Sequence, residues 1–204
     1  MNTPQLHTSF AQPSDIEKIV DVHMLSFEKF FLTSLGRAFL NLYYNSVREH
    51  PEGILLKCEH DGQLVGFCAA TIHAAGFNWR LVRSHPLKFS IMAVRLLINR
   101  PKSLWHLFRN FSKEKTDKGD HGGYAELLSI GVNPSIQNTG AGKHMLITLE
   151  KIVKEQGATK LSLTTDYIDN KKTIGFYDAM GYKVWYDFIT YPSRHMYRLI
   201  KTLS

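Results

Sequence analysis

Apolar positions along the chain recur with two periods, every third or fourth residue in some stretches and every second in others. The changes of period divide it into helices and strands. A first strand is predicted at 5–10. Behind it, Ser14-Asp15-Ile16-Glu17 reads as a capping box: the Ser14 hydroxyl accepts from a free backbone N–H and Glu17 reaches back. The helix it opens carries Ile16, Ile19, Val20, His23 and Phe27 on one face, where His23 reads as a satisfied core histidine. A second helix is predicted over 34–50, ended by Pro51-Glu52-Gly53. Strands at 54–59 and 64–72 flank His60-Asp61-Gly62-Gln63, and an Asp-Gly pair between apolar runs signals a hairpin.

The segment 77–123 breaks this rhythm. Pro86 and Pro101 each suit a first helical turn, which predicts helices over 87–99 and 102–111. The first is apolar over most of its circumference. Leu87, Phe89, Ile91, Met92, Val94, Leu96, Leu97 and Ile98 need something to pack against, and Phe77, Trp79, Trp105 and Phe108 read as core. Residues 112–123 are polar and Gly-rich and read as a mobile loop.

A strand at 124–132, a helix at 140–156 capped by Gly157, and a strand at 161–165 follow. Asn170 can N-cap a further helix that Gly181 stops, and strands at 182–191 and 195–200 close the chain. Strand–helix–strand–helix order here predicts a partly parallel sheet covered by helices, an α+β (mixed α/β) fold in one domain over 1–204.

Composition narrows the class. The 204 residues are 44% apolar and 21% charged, as in an ordinary globular protein. Met1 to Gln12 has no basic or apolar signal region, and the most apolar stretch, 89–98, is too short for a span and carries Arg95. Neither a secretory signal nor a transmembrane helix is expected. Cys58 and Cys68 sit in apolar strands and read as buried thiols of a cytoplasmic protein. The ten histidines show no ligand spacing, so no metal is expected. The net charge is +7, unevenly spread: no acid lies between Asp61 and Glu114, a stretch holding Arg80, Arg83, Lys88, Arg95, Arg100, Lys102, Arg109 and Lys113. Such a run favours an anionic partner, unless acids elsewhere in the fold compensate it.

The most informative stretch is Ser129-Ile130-Gly131-Val132-Asn133-Pro134-Ser135-Ile136-Gln137-Asn138-Thr139-Gly140-Ala141-Gly142. A strand feeds a short Gly-containing loop that opens a helix, and the free N–H groups of a first helical turn make a site for phosphate or diphosphate. A Walker loop fails, because Gln137 and His144 stand where it needs Gly and Ser or Thr. A dinucleotide fingerprint fails at Met145, where its third Gly belongs. Gln137-x-x-Gly140-x-Gly142 resembles the diphosphate loop of GCN5-related N-acetyltransferases. Asn170-Lys-Lys-Thr-Ile-Gly-Phe-Tyr177-Asp-Ala-Met-Gly181-Tyr182 resembles that family's second signature, with Thr173 for the usual Ala and Tyr182 for the usual Phe. The likeness is strong over 124–182, fair for the hairpin at 54–72 and weak for 77–123, which reads as a helical insertion near 77–118.

That resemblance implies a splayed mixed sheet flanked by helices, with the pantetheine arm of acetyl-CoA between the strands at 124–132 and 161–165. It implies backbone contacts from Ile130, Gly131 and Val132, with a strand bulge at Gly131. It assigns Gln137, Asn138, Thr139, Gly140, Ala141, Gly142 and Lys143 to the diphosphate, and Asn170, Phe176 and Tyr177 to the pantetheine and thioester end. Asn170 could equally be a plain helix cap.

An amine acceptor is almost wholly protonated at neutral pH, and neutralising it costs roughly 4–5 kcal/mol, so a base or a desolvating pocket must help. Glu126 is the candidate base: it shares strand parity with Leu128, Ile130 and Val132 and matches the base position of the histone-acetylating branch. It reads otherwise as a sheet-edge carboxylate or a water-holding group. Tyr177 is the candidate acid at the sulfur, and otherwise a tyrosine packed on the sheet. The acceptor is expected to be a small amine, phosphate-bearing or an amino sugar, drawn by the basic insertion. The pattern Phe27-x-x-Phe30-Phe31-Leu32-Thr33-x-Leu35-Gly36 also resembles a branch associated with amino-sugar pathways. A protein or peptide amine and a non-catalytic acyl-CoA-binding module are the alternatives. Nucleic acid is not an expected partner, since the basic run lacks a recognition pattern. Residues 80–113 also suit peripheral contact with an anionic membrane surface. Oligomeric state is not predicted.

Overall fold

Strand alternation decides which side of the sheet each core occupies. In a computed structural model, which describes residues 6–28, 30–100, 119–136, 139–190 and 193–203, Ile54, Leu56 and Cys58 face one layer of helices and Leu55 the other. The strands are β1 (Leu6–Phe10), β2 (Gly53–His60), β3 (Gln63–Thr71), β4 (Ala125–Val132), β5 (Lys160–Asp166), β6 (Lys183–Thr190) and β7 (Arg194–Thr202). They form one sheet in the order β1-β2-β3-β4-β5-β7-β6. Only β4 and β5 run parallel; every other neighbouring pair is antiparallel.

On one face lie α1 (Ile16–Ser26), a single turn α2 (Phe31–Ser34) and α3 (Arg37–Glu49). Ile19, Val20, Leu40 and Tyr44 close that core over Leu55 and Phe67. The insertion adds α4 (Phe77–Ser84) and α5 (Pro86–Asn99), which contribute Phe77, Leu81 and Leu96 to the same core. The other face is covered by α6 (Ala141–Glu155) and α7 (Lys171–Ala179). There Met145, Leu146, Leu149 and Val153 pack on Leu56, Leu127 and Leu161. Among the described residues, no helix is long and apolar enough to cross a membrane.

Several expectations need correction. The expected capping box at Ser14 does not form: α1 starts from Asp15 as N-cap with no side-chain cap, and the capping box joins Gln12 and Asp15 instead. A 3-10 turn at Pro13–Asp15 intervenes, and the Asp15 carboxylate accepts from the Gln12 amide at 2.8 Å. The helix predicted over 34–50 is broken at Gly36, whose φ of +88° lies outside the helical region. The expected bulge at Gly131 is instead at Leu128: Ala69 pairs with Ser129 and Ala70 with Leu127, leaving Leu128 as the extra residue. Gly131 stays in register with Phe67, and a Cβ there would stand 2.8 Å from the Phe67 ring and 3.1 Å from Phe27, so the glycine makes room for two rings. Trp79, expected in the core, is 42% exposed. So are most apolar residues of α5: only Leu96 is buried. Part of the expected mobile loop is anchored. The Asp120 carboxylate accepts from the Tyr124 hydroxyl at 2.7 Å, from the Gly122 amide at 2.9 Å and from the Tyr186 hydroxyl. Gln137, Asn138, Lys102, Arg109, Lys113, Trp105, Phe108 and the helix expected over 102–111 lie outside the described residues.

Candidate active site

Pairing between β4 and β5 begins at Ala125–Leu161 and stops at Leu127–Leu163, although β4 continues to Val132 and β5 to Asp166. Beyond that point the strands open into a cleft. On its far side β4 stays paired to β3, and the Asn133 amide donates to the Val65 carbonyl at 2.8 Å. Antiparallel pairs alternate, so the amides of Ile130 and Val132 turn away from β3 and toward the opening. The Val132 carbonyl is taken by the Ser26 hydroxyl at 3.0 Å.

Beside the cleft, α6 begins. Gly140 occupies its N-cap in the left-handed region (φ +87°), with no side-chain cap. The first helical bond runs from the His144 amide to the Gly140 carbonyl at 2.9 Å, so the amides of Ala141, Gly142 and Lys143 precede it and point out of the helix end. Thr139 and Lys143 are exposed and Ala141 is buried. Gly142 faces Phe176 and Val132, each 3.9 Å from where a Cβ would stand.

A cavity of about 380 Å³ occupies the cleft. β4 lines it with Leu127 to Ile130, β5 with Leu163 to Asp166, and α7 with Asn170, Thr173 and Tyr177. Its other walls are His23, Phe27, Phe30, Phe31 and Leu32 on one side and Thr190, Arg194 and Met196 on the other. Tyr177 is 5% exposed, and burial raises its phenol pKa above the ordinary value, so its hydroxyl stays protonated at neutral pH. Asn170 sits at the N-cap position of α7 without capping it through its side chain. Its Nδ2 donates to Thr165 Oγ1 at 2.6 Å and to the Asp166 carbonyl at 3.1 Å, which ties α7 to the end of β5.

Glu126 is not among the residues lining the cavity. Because Leu128 is an inserted residue, strand parity changes between Glu126 and Ile130. Ile130 and Val132 pack with the core under α6, as do Ala125 and Leu127, which flank Glu126. Glu126 therefore points to the α1–α3 face, opposite to Ile130 and Val132. Its carboxylate accepts from Arg198 Nη1 at 2.7 Å. Arg198 Nε lies 3.5 Å from Asp120 Oδ2, an ion-pair separation rather than a hydrogen bond. Burial alone would raise the Asp120 pKa. Hydrogen bonds from Tyr186, Tyr124 and Gly122, with the Arg198 charge, outweigh it and hold the carboxyl below its usual range. Two acids thus share one guanidinium near the closed end of the cleft.

Two polar groups in the walls carry no motif. His23 is 2% exposed, and burial lowers its pKa from 6.5 to about 4, so it is neutral near pH 7. The Thr33 hydroxyl donates to the Phe27 carbonyl at 2.6 Å, so toward His23 Nε2, 3.1 Å away, it accepts. His23 Nδ1 then accepts from the Tyr44 hydroxyl at 2.6 Å. The second group is Arg194, which donates to both Asp166 oxygens, at 2.5 and 2.7 Å, and stands 4.7 Å from the centre of the Phe30 ring. An arginine alternating with apolar residues in a late strand was the only sequence signal for Arg194 or Arg198. Nothing local marked the Leu128 bulge. Among the described residues, no group of His, Cys, Asp or Glu side chains is placed to hold a metal.

Solved structures similar to this chain include several described as acetyltransferases. The model of the acetyltransferase (GNAT) family matches residues 16–182, and the chain belongs to that family. Similar structures include SsHAT (TM-score 0.71, 18% identity, 98% of this chain and 100% of that one). The ribosomal-protein-S18-alanine N-acetyltransferase from Escherichia coli aligns with TM-score 0.61 and 12% identity over 98% and 95% of the two chains. The PaiA N-acetyltransferase from Thermoplasma acidophilum, in complex with coenzyme A, aligns with TM-score 0.56 and 16% identity over 97% and 99%. At these identities the likeness is one of fold. No curated protein matches the chain in sequence.

Proposed function

We propose that the chain is an acyl-CoA-dependent N-acyltransferase that moves acetyl from acetyl-CoA to the primary amine of a small acceptor. The observation that carries this reading is the cleft between β4 and β5, which meets the uncapped start of α6 at one end and Tyr177 and Asn170 along its wall.

The residues fit the donor. The amides of Ala141, Gly142 and Lys143 converge at a helix N-terminus, where the peptide dipoles favour the diphosphate. Exposed Thr139 and Lys143 flank that helix start, and Lys143 adds positive charge. Ile130 and Val132 offer backbone groups along the pantetheine path, and Phe176 packs beside Gly142. The donor supplies an activated acyl group; the chain orients it and handles the protons. An outward amide on the β4 edge can donate to the acyl oxygen as negative charge builds there. Tyr177 holds its proton on Oη and donates it toward the sulfur. Its raised pKa lies above that of a thiol, about 8.5, which makes it a hydrogen-bond donor before a full proton donor.

No side chain lining the cavity stands ready as a strong base. Asp166 is bound by Arg194, His23 is held neutral, and Glu126 is engaged by Arg198 outside the cavity. The Phe27, Phe30, Phe31 and Leu32 wall instead desolvates an entering ammonium and lowers its pKa, so deprotonation proceeds through water. Glu126 acts at a distance, as the carboxylate that positions Arg198 and the closed end of the cleft. The cavity's charged pair is internally compensated, and no cation of 80–100 lines it. Among the described residues, Arg194 is the cation in the cavity wall that a phosphate-bearing acceptor or amino sugar would meet, in competition with Asp166. Free-thiol release from acetyl-CoA against a panel of amines, with amino-sugar nucleotides and cationic peptides included, tests the reading. Release with a small amine supports it. Release with peptides alone moves the acceptor class to proteins, and binding without release makes the chain a non-catalytic acyl-CoA module.

A further inference from the structure

Helix α5 has two apolar faces, and the core takes only one of them. Leu96 is 4% exposed, and Phe89 and Met92 pack beside it against the α1–α3 core. The opposite side carries Leu87 (72% exposed), Ile91 (62%), Val94 (58%), Leu97 (60%) and Ile98 (74%). At about 100° per residue, Leu87, Ile91, Val94 and Ile98 fall within one strip, with Leu97 at its edge. Lys88 and Arg95 border that strip along its other edge, and both are exposed, as is Arg83 on α4. No acid occurs anywhere between Asp61 and Glu114. Arg80 and Arg100 are committed elsewhere, to Glu52 and to the Ser34 carbonyl. The strip lies outside the catalytic cavity, whose lining includes no residue of α5.

We propose that the outer face of α5 docks on an anionic lipid surface, lying in the interface plane with its apolar strip in the acyl boundary and Lys88 and Arg95 among the headgroups. An apolar strip rimmed by cations without acids has the charge pattern of an interfacial helix. A second copy of this chain is a poor occupant, because it would bring the same cations against their equals. The helix is too short to span a bilayer, so it lies on the surface.

Vesicle co-sedimentation of the full chain tests this directly. The protein is expected to pellet with mixed phosphatidylcholine–phosphatidylglycerol vesicles and to partition at least about tenfold more weakly onto phosphatidylcholine alone or at high salt. The pair Lys88→Glu and Arg95→Glu should lose about as much, and Ile91→Asp with Ile98→Asp should lose binding even with the cations intact. Both pairs change exposed positions, and unchanged melting curves verify that they fold; if the aspartate pair does not fold, the glutamate pair decides. Equal binding to neutral and anionic vesicles, or wild-type binding by a folded variant pair, overturns the proposal. So does a wild-type dimer in sedimentation velocity that Ile91→Asp with Ile98→Asp dissociates while vesicle binding is absent.

Discussion

Helices α5 and α6 are nearly equal in length and both rich in apolar residues, yet the protein uses them in opposite ways. In α6, Met145, Leu146, Leu149 and Val153 are fully buried and the exposed face is polar apart from Ile147, so burial fixes the helix and leaves its uncapped first turn beside Val132 and Phe176. In α5, one buried leucine and two half-buried neighbours hold the helix while five large apolar side chains face outward. A single apolar stripe shows which way a helix faces. A helix apolar all round does not, and its second face has to be explained by something other than the core.

Stability should separate the two helices most. Leu149→Ala on α6 is expected to cost about 2–5 kcal/mol by leaving a cavity, whereas Ile98→Ala on α5 should change stability by no more than about 0.5 kcal/mol. Denaturant unfolding of both variants measures the difference, and similar losses would mean that α5 is packed on both sides. Acid should weaken the α1–α3 face next. His23 takes a proton near pH 6.5 when unfolded but only near about 4 when folded. Stability conferred by the neutral imidazole is therefore complete above pH 6.5 and lost as pH falls through that window, by roughly 3 kcal/mol in all. Melting curves from neutral to acid pH should show a shallower decline in His23→Gln than in wild type, and equal slopes would remove His23 as the cause. On the cleft side, Tyr177→Phe should lower kcat by about tenfold or more, near 1.4 kcal/mol, with little change in acetyl-CoA affinity. Steady-state kinetics with a responsive amine decides it, and unchanged turnover would leave Tyr177 a packing residue. The smallest expected effect is at Asn170→Ala. It removes the tie from α7 to Thr165 and should loosen donor binding a few-fold without abolishing turnover.

The order of elements could be read from the chain because apolar period and turn chemistry agree through most of it. The Asp61-Gly62 hairpin, the Gly140 helix start and the Gly181 stop are all local features, and each lies where its residues direct. The bulge at Leu128 could not be read: it comes from the register of β4 against β3, not from a residue preference. That one extra residue reverses the face of Glu126 and defeats any parity count made across it. The part-buried pairs of Arg198 with Glu126 and Arg194 with Asp166 stayed hidden for a related reason. Each joins residues far apart in the chain, 72 and 28 positions respectively, and only the closed sheet brings them together.

Calorimetric titration with coenzyme A, on wild type and Gly142→Asp, tests the central claim most directly. A carboxylate at Gly142 sits in the first turn of α6, where it stabilises the helix but repels a diphosphate, and nothing lies closer than 3.9 Å to obstruct its Cβ. The account predicts a binding signal in wild type that falls at least about tenfold in Gly142→Asp while the melting temperature holds or rises. No signal in wild type, or undiminished binding by the variant, would contradict it.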